Sequence, residues 1–444
     1  MAGGGGAGGA AGAATDGEPQ PVGYRLGLTW SPSSRTLDGT EAITLRNAGP
    51  GTLPRVWLRL WPNDSIAGQA DGCRYPGLVV RRVLGARVGR YAVACSAVSL
   101  TLDQALQPGE AATVRLRFRT RVPTDESLLG RSAGVDLLGR AVPLLAVRDA
   151  TGWHLNPDTA IGDPAFSLSA AWHATISVPA ALGVASTGVQ VSDRVDRRTG
   201  RRVVVTGTPH ARDFGLAVGH MLVRTGTTDG VRVRVFAGAG TDRSRAQRAL
   251  RSALLAVHTY TSWFGPYGSP ELDVVLAALG EDSQELPEIV FTDADRGTVA
   301  HEVSHQWWYS TVGDDQWNQP WLDESFASWS EEQLMRGTYA CDPARPLGAH
   351  RGGLRYGLGY YEHRPSRYVD VIYRGGACAL IALEDALGRA RFRALLRDEV
   401  RRYRDGVVTT AGFLALLRAA DPVVARRWEA LVGFPAAGTT QRSP

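Results

Sequence analysis

His301-Glu302-Val303-Ser304-His305 sets two imidazoles four residues apart with a carboxylate beside the first. On a helix, residues four apart project from one face, one turn apart, so both imidazoles can reach a single metal ion. Glu302, on the neighbouring stripe, can touch a water held by that metal. The chemistry this suits is zinc hydrolysis: three protein ligands leave one position open, and a water bound there ionises near a pH of about 7. The third ligand should be a carboxylate on a nearby helix, and Trp321-Leu322-Asp323-Glu324-Ser325-Phe326-Ala327 supplies Glu324. The bland alternative is a surface helix that carries two histidines. A second acidic helix and aromatic residues flanking both motifs argue against it.

The elements that must hold this set are legible as changes of hydrophobic period. From Val22 to about Thr225 apolar and polar residues alternate, as in Tyr24–Trp30, Val56–Trp61, Ala112–Thr120, Trp172–Pro179 and Val203–Thr206. Turns rich in Gly, Pro and Asn separate the runs, which predicts an antiparallel sandwich or open saddle. Near Val231 the period changes. Strands are expected at Val231–Phe236 and Glu271–Leu276, a helix at Ser244–Phe264, and a strand-like edge at Glu285–Phe291. After Glu324 helical spacing dominates, at Gly376–Ala386, Arg389–Arg404, Thr410–Ala419 and Val423–Val432. The fold class is therefore α+β and multidomain: a β domain over 21–225, a mostly helical catalytic domain over 226–435, and tails at 1–20 and 436–444.

A chain of 444 residues is too long for one ordinary core. Its apolar content of 44% with 21% charged residues belongs to a globular protein. The net charge of +5 is small, every basic residue is arginine, and no basic run is interleaved with aromatics, so nucleic acid is not an expected partner. No apolar stretch is long enough to span a membrane. Met1–Thr15, almost all Gly and Ala, reads as a disordered tether of the kind that follows a cleaved export or lipoprotein signal. Cys73, Cys95, Cys341 and Cys378 show no Cys-x-x-Cys spacing. Bridges Cys73–Cys95 and Cys341–Cys378 would fit an exported, cell-surface or extracellular protein; four buried thiols would fit a cytoplasmic one.

With these residues in view, the chain resembles the zinc aminopeptidases of the aminopeptidase N and leukotriene-hydrolase family, the gluzincin type. The resemblance rests on His301-Glu302-Val303-Ser304-His305 followed by eighteen residues and Glu324, on the flanks Thr298-Val299-Ala300 and Gln306-Trp307-Trp308, and on Trp321–Ala327. The last run is similar to the family's Trp-Leu-Asn-Glu-Gly-Phe-Ala, with Asp323 and Ser325 as departures. The resemblance implies a thermolysin-like catalytic domain after the β saddle, one zinc ion on His301, His305 and Glu324, and Glu302 as general base. It also implies a catalytic tyrosine, and Tyr373-Arg374-Gly375-Gly376 is similar to the Tyr-x-x-Gly segment that carries it. A phenol aimed at the open metal position would donate to the tetrahedral oxyanion.

The family's exopeptidase signature is altered here. Ser283-Gln284-Glu285-Leu286-Pro287-Glu288 stands where relatives carry Gly-x-Met-Glu-Asn. The resemblance implies that Glu285 holds the substrate's free α-ammonium, with Ser283 and Gln284 lining the peptide's path; Glu281 and Glu288 are rival anchors. Larger relatives append a helical domain that closes the cleft, and no such large C-terminal domain is expected after Tyr373. The implied activity is removal of N-terminal residues from peptides. Its competitors are an endopeptidase or small-molecule hydrolase with the same zinc, and a non-catalytic peptide-binding protein.

Overall fold

The computed structural model describes residues 19–63, 77–279 and 283–434. The expected tether, Cys73, Glu281 and the last ten residues lie outside the described residues.

Strands Thr36–Arg46 and Ala111–Arg121 show why the first half folds as it does. Their residues alternate between core and surface, so Leu37, Ile43 and Leu45 face inward with Val114, Leu116 and Phe118. A strand of period two has one apolar face, and that face must be covered. Seven strands join in the order Val189–Asp196, Arg201–Ala211, Ala170–Pro179, Gln20–Ser31, Thr36–Arg46, Ala111–Arg121 and Leu78–Leu84. A four-stranded sheet that includes Leu53–Arg59 and Ala97–Leu106 closes over them, with Trp30, Val56, Leu58, Val98 and Leu100 between. Each such side chain contributes roughly 1.5–3 kcal/mol on burial.

Two expectations are corrected. The sandwich is not purely antiparallel: Gln20–Ser31 runs parallel to Ala170–Pro179, with Leu26 opposite Ala174. The long excursion through the second sheet between these strands permits a parallel return, which a short turn does not. The change of domain does not fall at 225/226 either. Met221–Thr228 pairs antiparallel with Val231–Gly238 through Asp229-Gly230, both at positive φ, so the catalytic sheet begins at Met221. Its residues are at most half-buried, and no sharp apolar alternation marks the boundary.

Val231–Gly238, Glu271–Leu276 and Ile289–Thr292 continue this sheet in parallel. Helix α1 (Arg243–Phe264) makes the first crossover, its start capped by the Asp242 carboxylate on the Ser244 amide. Helix α2 (Arg296–Ser304) and helix α3 (Trp321–Met335) follow, then helices Gly376–Leu387, Arg389–Tyr403, Thr410–Ala420 and Pro422–Val432. Cys341 and Cys378 are bridged, with Cα atoms 5.3 Å apart. Cys95 is disulfide-bonded. Among the described residues no helix is long and apolar enough to cross a membrane.

The domains are joined by buried polar contacts. Arg234 holds Asp273 at 2.7 Å and Gln190 at 2.8 Å, and the Asp273 carboxylate accepts from the Ser186 amide. Thr187 donates to the Pro287 carbonyl and Thr208 to Glu288. The β domain thereby grips the segment that leads to the metal helix.

Candidate active site

Helix α2 begins where the Asp295 carboxylate accepts from the Gly297 and Thr298 amides. Val299 and Val303 face the core, and Tyr260 of α1 donates to the Ala300 carbonyl at 3.0 Å. Trp307 and Trp308 pack on Phe264 immediately after the helix. This apolar backing leaves the other face, with His301 and His305, on the cleft. His305 is the helix C-cap but keeps helical angles (φ −62°, ψ −13°), so the one-turn spacing is preserved.

Glu324 enters from the first turn of α3. Its Oε2 lies 3.1 Å from His301 Nε2 and 3.5 Å from His305 Nε2. One donor atom from each of the three residues lies within 4.8 Å of the others. His305 Nδ1 is 3.0 Å from the Trp308 carbonyl, which only accepts, so Nδ1 carries the proton and Nε2 keeps its lone pair. Burial alone would raise the Glu324 carboxyl, but the two histidines outweigh it and hold the group ionised, well below the ordinary range. Two imidazoles and one carboxylate at these separations are the donor set of a catalytic zinc with an open position, and the residues fit that ion.

Glu331, one heptad after Glu324 on α3, completes the support: its Oε2 is 3.4 Å from His301 Nδ1. It reaches there because residue 297 is glycine; a Cβ at that position would lie 2.8 Å from Glu331 Oε1. Replacing Glu331 by Ala is expected to weaken zinc binding by about ten- to a hundredfold, measured by competition with a fluorescent chelator. Unchanged affinity would reduce the contact to packing.

Glu302 is buried on the cleft side, and its Oε2 has no hydrogen-bond partner. Burial pushes the carboxyl up to about 7, against the pull of His301 and His305. A carboxylate with a free oxygen beside the metal position is placed to take a proton from water.

Of the strand-like edge expected at Glu285–Phe291, Ile289–Phe291 belongs to the strand Ile289–Thr292, but Glu285–Glu288 is not strand. Gln284 and Phe291 exchange backbone hydrogen bonds, and the chain between them turns, with Glu288 at φ 62°. Pro287 removes a ladder donor, which prevents a longer strand. Gln306, next to His305, pins this turn: its Oε1 accepts from the Glu288 amide and its Nε2 donates to the Leu286 carbonyl. Ser283, Gln284 and Glu285 line the same cleft as the zinc ligands. Glu285 is deeply buried and accepts from Gln316 Nε2 at 2.9 Å, with Arg140 Nη2 at 3.9 Å. Burial, and next the Asp163 carboxylate, push its carboxyl upward. Glu288, the rival anchor, is held by Thr208 at 2.8 Å and does not line the cleft.

Tyr373 sits in a π-helical turn, Val369–Gly375, its ring 5.8 Å from that of His301 and nearly parallel to it. Such turns relax the helical register and frequently mark functional positions. Three residues on, Gly376 lets this segment cross α3: a Cβ there would fall 1.8 Å from Ser325 Oγ. Gly376→Ala is expected to destabilise the fold by about 1–3 kcal/mol in a thermal melt, and Ser325→Gly in the same chain should restore most of the loss.

Asp163, Arg140, Gln316 and Glu331 were not legible as site residues. Asp163, in a Gly-Asp-Pro loop of the β domain, accepts from Arg140 at 2.5 Å and from Gln284 Nε2 at 3.1 Å. Arg140 also holds Asp213 at 2.8 Å. None of the first three carries a local motif. Glu331 does leave a signal, seven residues after Glu324 on the same helix face.

These groups converge on a cleft of about 240 Å3. A profile of the "Peptidase family M1 domain" matches residues 291–345, which include the three zinc-ligand positions. Aminopeptidase M1-B of Oryza sativa subsp. japonica is 25% identical over 245 residues, covering 47% of this chain and 28% of that protein. Aminopeptidase N of Acetobacter pasteurianus is 27% identical over 192 residues, 38% of this chain and 52% of that protein. The chain thus spans under a third of the rice relative's length. Among solved structures, an M1 zinc metallopeptidase from Deinococcus radiodurans matches with a TM-score of 0.66 at 20% identity, covering 94% of each chain. A mutant of a Deinococcus radiodurans M1 zinc metallopeptidase bound to a Tyr-Ser-Ala substrate matches with a TM-score of 0.67 at 20% identity and the same coverage. At these identities the structural likeness is one of fold.

Proposed function

We propose that this chain, a two-domain member of the M1 zinc metallopeptidases, is a zinc-dependent aminopeptidase that removes N-terminal residues from peptides. The observation that carries the proposal is the shared cleft: His301, His305 and Glu324 converge there, with Glu302 and Glu285 lining the same space. Bound by those three residues, zinc would supply a Lewis acid and an acidic water. Glu302, with its free carboxylate oxygen on the cleft, would accept the proton of the attacking water and return it to the leaving amine. Tyr373 donates a hydrogen bond to the oxyanion, a contact stronger in the transition state than in the substrate. Glu285 pairs with the substrate's α-ammonium, an arriving charge that offsets the neighbouring carboxylates.

The test is turnover of aminoacyl-fluorophores, free and N-acetylated, with and without a zinc chelator. Chelator-sensitive cleavage of the free set alone is expected. Cleavage of the acetylated set as well would favour an endopeptidase, the second reading, which draws on the hydrogen bond that Gln316 already makes to Glu285. The proposal extends to an exported or cell-surface location, supported by the Cys341–Cys378 bridge. Cell fractionation checks it, and a wholly cytoplasmic signal would overturn it.

A further inference from the structure

The outer face of the seven-stranded sheet, on the domain that carries no zinc ligand, holds a concentration of arginines that the peptidase reading does not use. Strand alternation points Arg115, Arg117, Arg119 and Arg121 outward, with Leu116, Phe118 and Thr120 inward. Register then assembles a patch. Arg81 of the neighbouring strand stands opposite Arg117, and Arg25 stands two strands away from Arg115 with Ala42 between. Successive arginine positions on one strand are about 7 Å apart, and positions opposite across strands about 5 Å apart, both at the backbone. That is inside the screening length of about 8 Å at physiological salt, so their potentials add.

Like charges opposed across a ladder are destabilising, and carboxylates among the described residues do little to relieve them. Asp38, on the same face, is taken by Arg119 at 2.7 Å. Arg25, Arg81, Arg82, Arg115 and Arg117 make no side-chain hydrogen bond or ion pair among the described residues. Glu41, in register with the inward-facing Leu26 and Leu116, is buried on the opposite face of the sheet, away from the guanidiniums.

The patch is a trough rather than a plane. Two hollows of about 580 and 390 Å3 share Thr40, Arg82 and Arg117 as common walls. Their floor is made of small residues, Gly27, Thr29, Gly39, Thr40 and Ala42. Arginine forks bind phosphate bidentately and are weakly hydrated, which suits them to this ligand. Among the described residues no exposed aromatic ring lies in either hollow to stack a base, unlike single-strand nucleic-acid sites. Among the described lining residues Leu84 alone is a large exposed apolar side chain, too little to enter a bilayer.

We propose that this trough is a docking site for a linear phosphate polymer that carries no bases, and that it holds the enzyme to such material through the β domain while the zinc cleft works independently. The test uses the full chain and end-labelled inorganic polyphosphate, read by fluorescence anisotropy at low and physiological salt. Binding is expected, weakening steeply with salt as counterions are released. The triple variant Arg82→Ser, Arg115→Ser, Arg117→Ser should bind at least about tenfold more weakly, with a melting temperature no lower than the parent's and unchanged aminoacyl turnover. A control triple, Arg194→Ser, Arg197→Ser, Arg198→Ser, at the opposite edge of the same sheet, should bind as the parent does. Equal losses in the two variants would overturn the site, because the attraction would then be diffuse. Equal binding of oligothymidylate of matched charge, or binding only to phosphatidylglycerol–phosphatidylcholine vesicles, would overturn the assigned ligand.

Discussion

Glu302→Gln is expected to lower turnover by about a hundred- to ten-thousandfold while zinc content stays at one ion per chain. Gln has nearly the shape of Glu but cannot accept the water's proton. The metal should survive because its ligands, His301, His305 and Glu324, and their supports, the Trp308 carbonyl and Glu331, are untouched. Folding should survive as well. The unpartnered Glu302 Oε2 is a buried acceptor with no structural bond to lose, and burial disfavours its charge, so a neutral amide costs little there. The measurement is kcat alongside metal content by atomic emission. Retained turnover with zinc bound would refute the assigned base; loss of both would move Glu302 into the set that builds the metal site.

Glu285→Ala is expected to remove most of the preference for free N-termini. A charge-assisted contact inside a buried site is worth about 2–3 kcal/mol, which corresponds to a loss in kcat/KM of roughly 30- to 150-fold for free-amine substrates. Acetylated substrates never had the contact and should lose little. The comparison therefore matters more than either number: a parallel fall in both sets would mean that Glu285 only supports the cleft. Such a role would rest on Gln316, which bridges Glu285 to Asp323 with bonds of 2.9 and 2.6 Å. Gln316→Ala separates the cases, because it leaves the Glu285 carboxylate in place while removing the bridge.

Asp323 and Ser325, the two departures beside the third ligand, have structural explanations. Asp323 accepts from Gln316 and, through its other oxygen, from the Glu324 amide at 2.8 Å, so it stiffens the turn that presents Glu324. Ser325 donates to the Ile372 carbonyl at 2.6 Å, one residue before Tyr373. Helix α3, which presents Glu324, is thereby tied to the tyrosine segment, and the close approach at Gly376 follows from the same crossing.

What the amino-acid sequence determines alone is whatever depends on short-range periodicity. His301 and His305 share a face because the helix repeat puts them there, whatever surrounds it. The inward and outward residues of the sandwich strands follow from a period of two, and the helices after Glu324 from a period of 3.6. Glu324 needed only a second helix within reach, and the eighteen-residue spacing carried that through resemblance. Tertiary structure decided the rest, because the groups concerned come from segments with no periodic relation to the motif. Arg140 and Asp163 enter from loops of the β domain, 161 and 138 residues before His301. Their contacts to Glu285 and Gln284 exist only once the two domains are docked. The parallel pairing of Gln20–Ser31 with Ala170–Pro179, the turn at Glu288 and the start of the catalytic sheet at Met221 likewise depend on which edges are free when the chain returns. So does the arginine trough. Its residues alternate plainly along Ala111–Arg121, but register alone brings Arg81 and Arg25 beside them, and register is set by which apolar faces must be buried together.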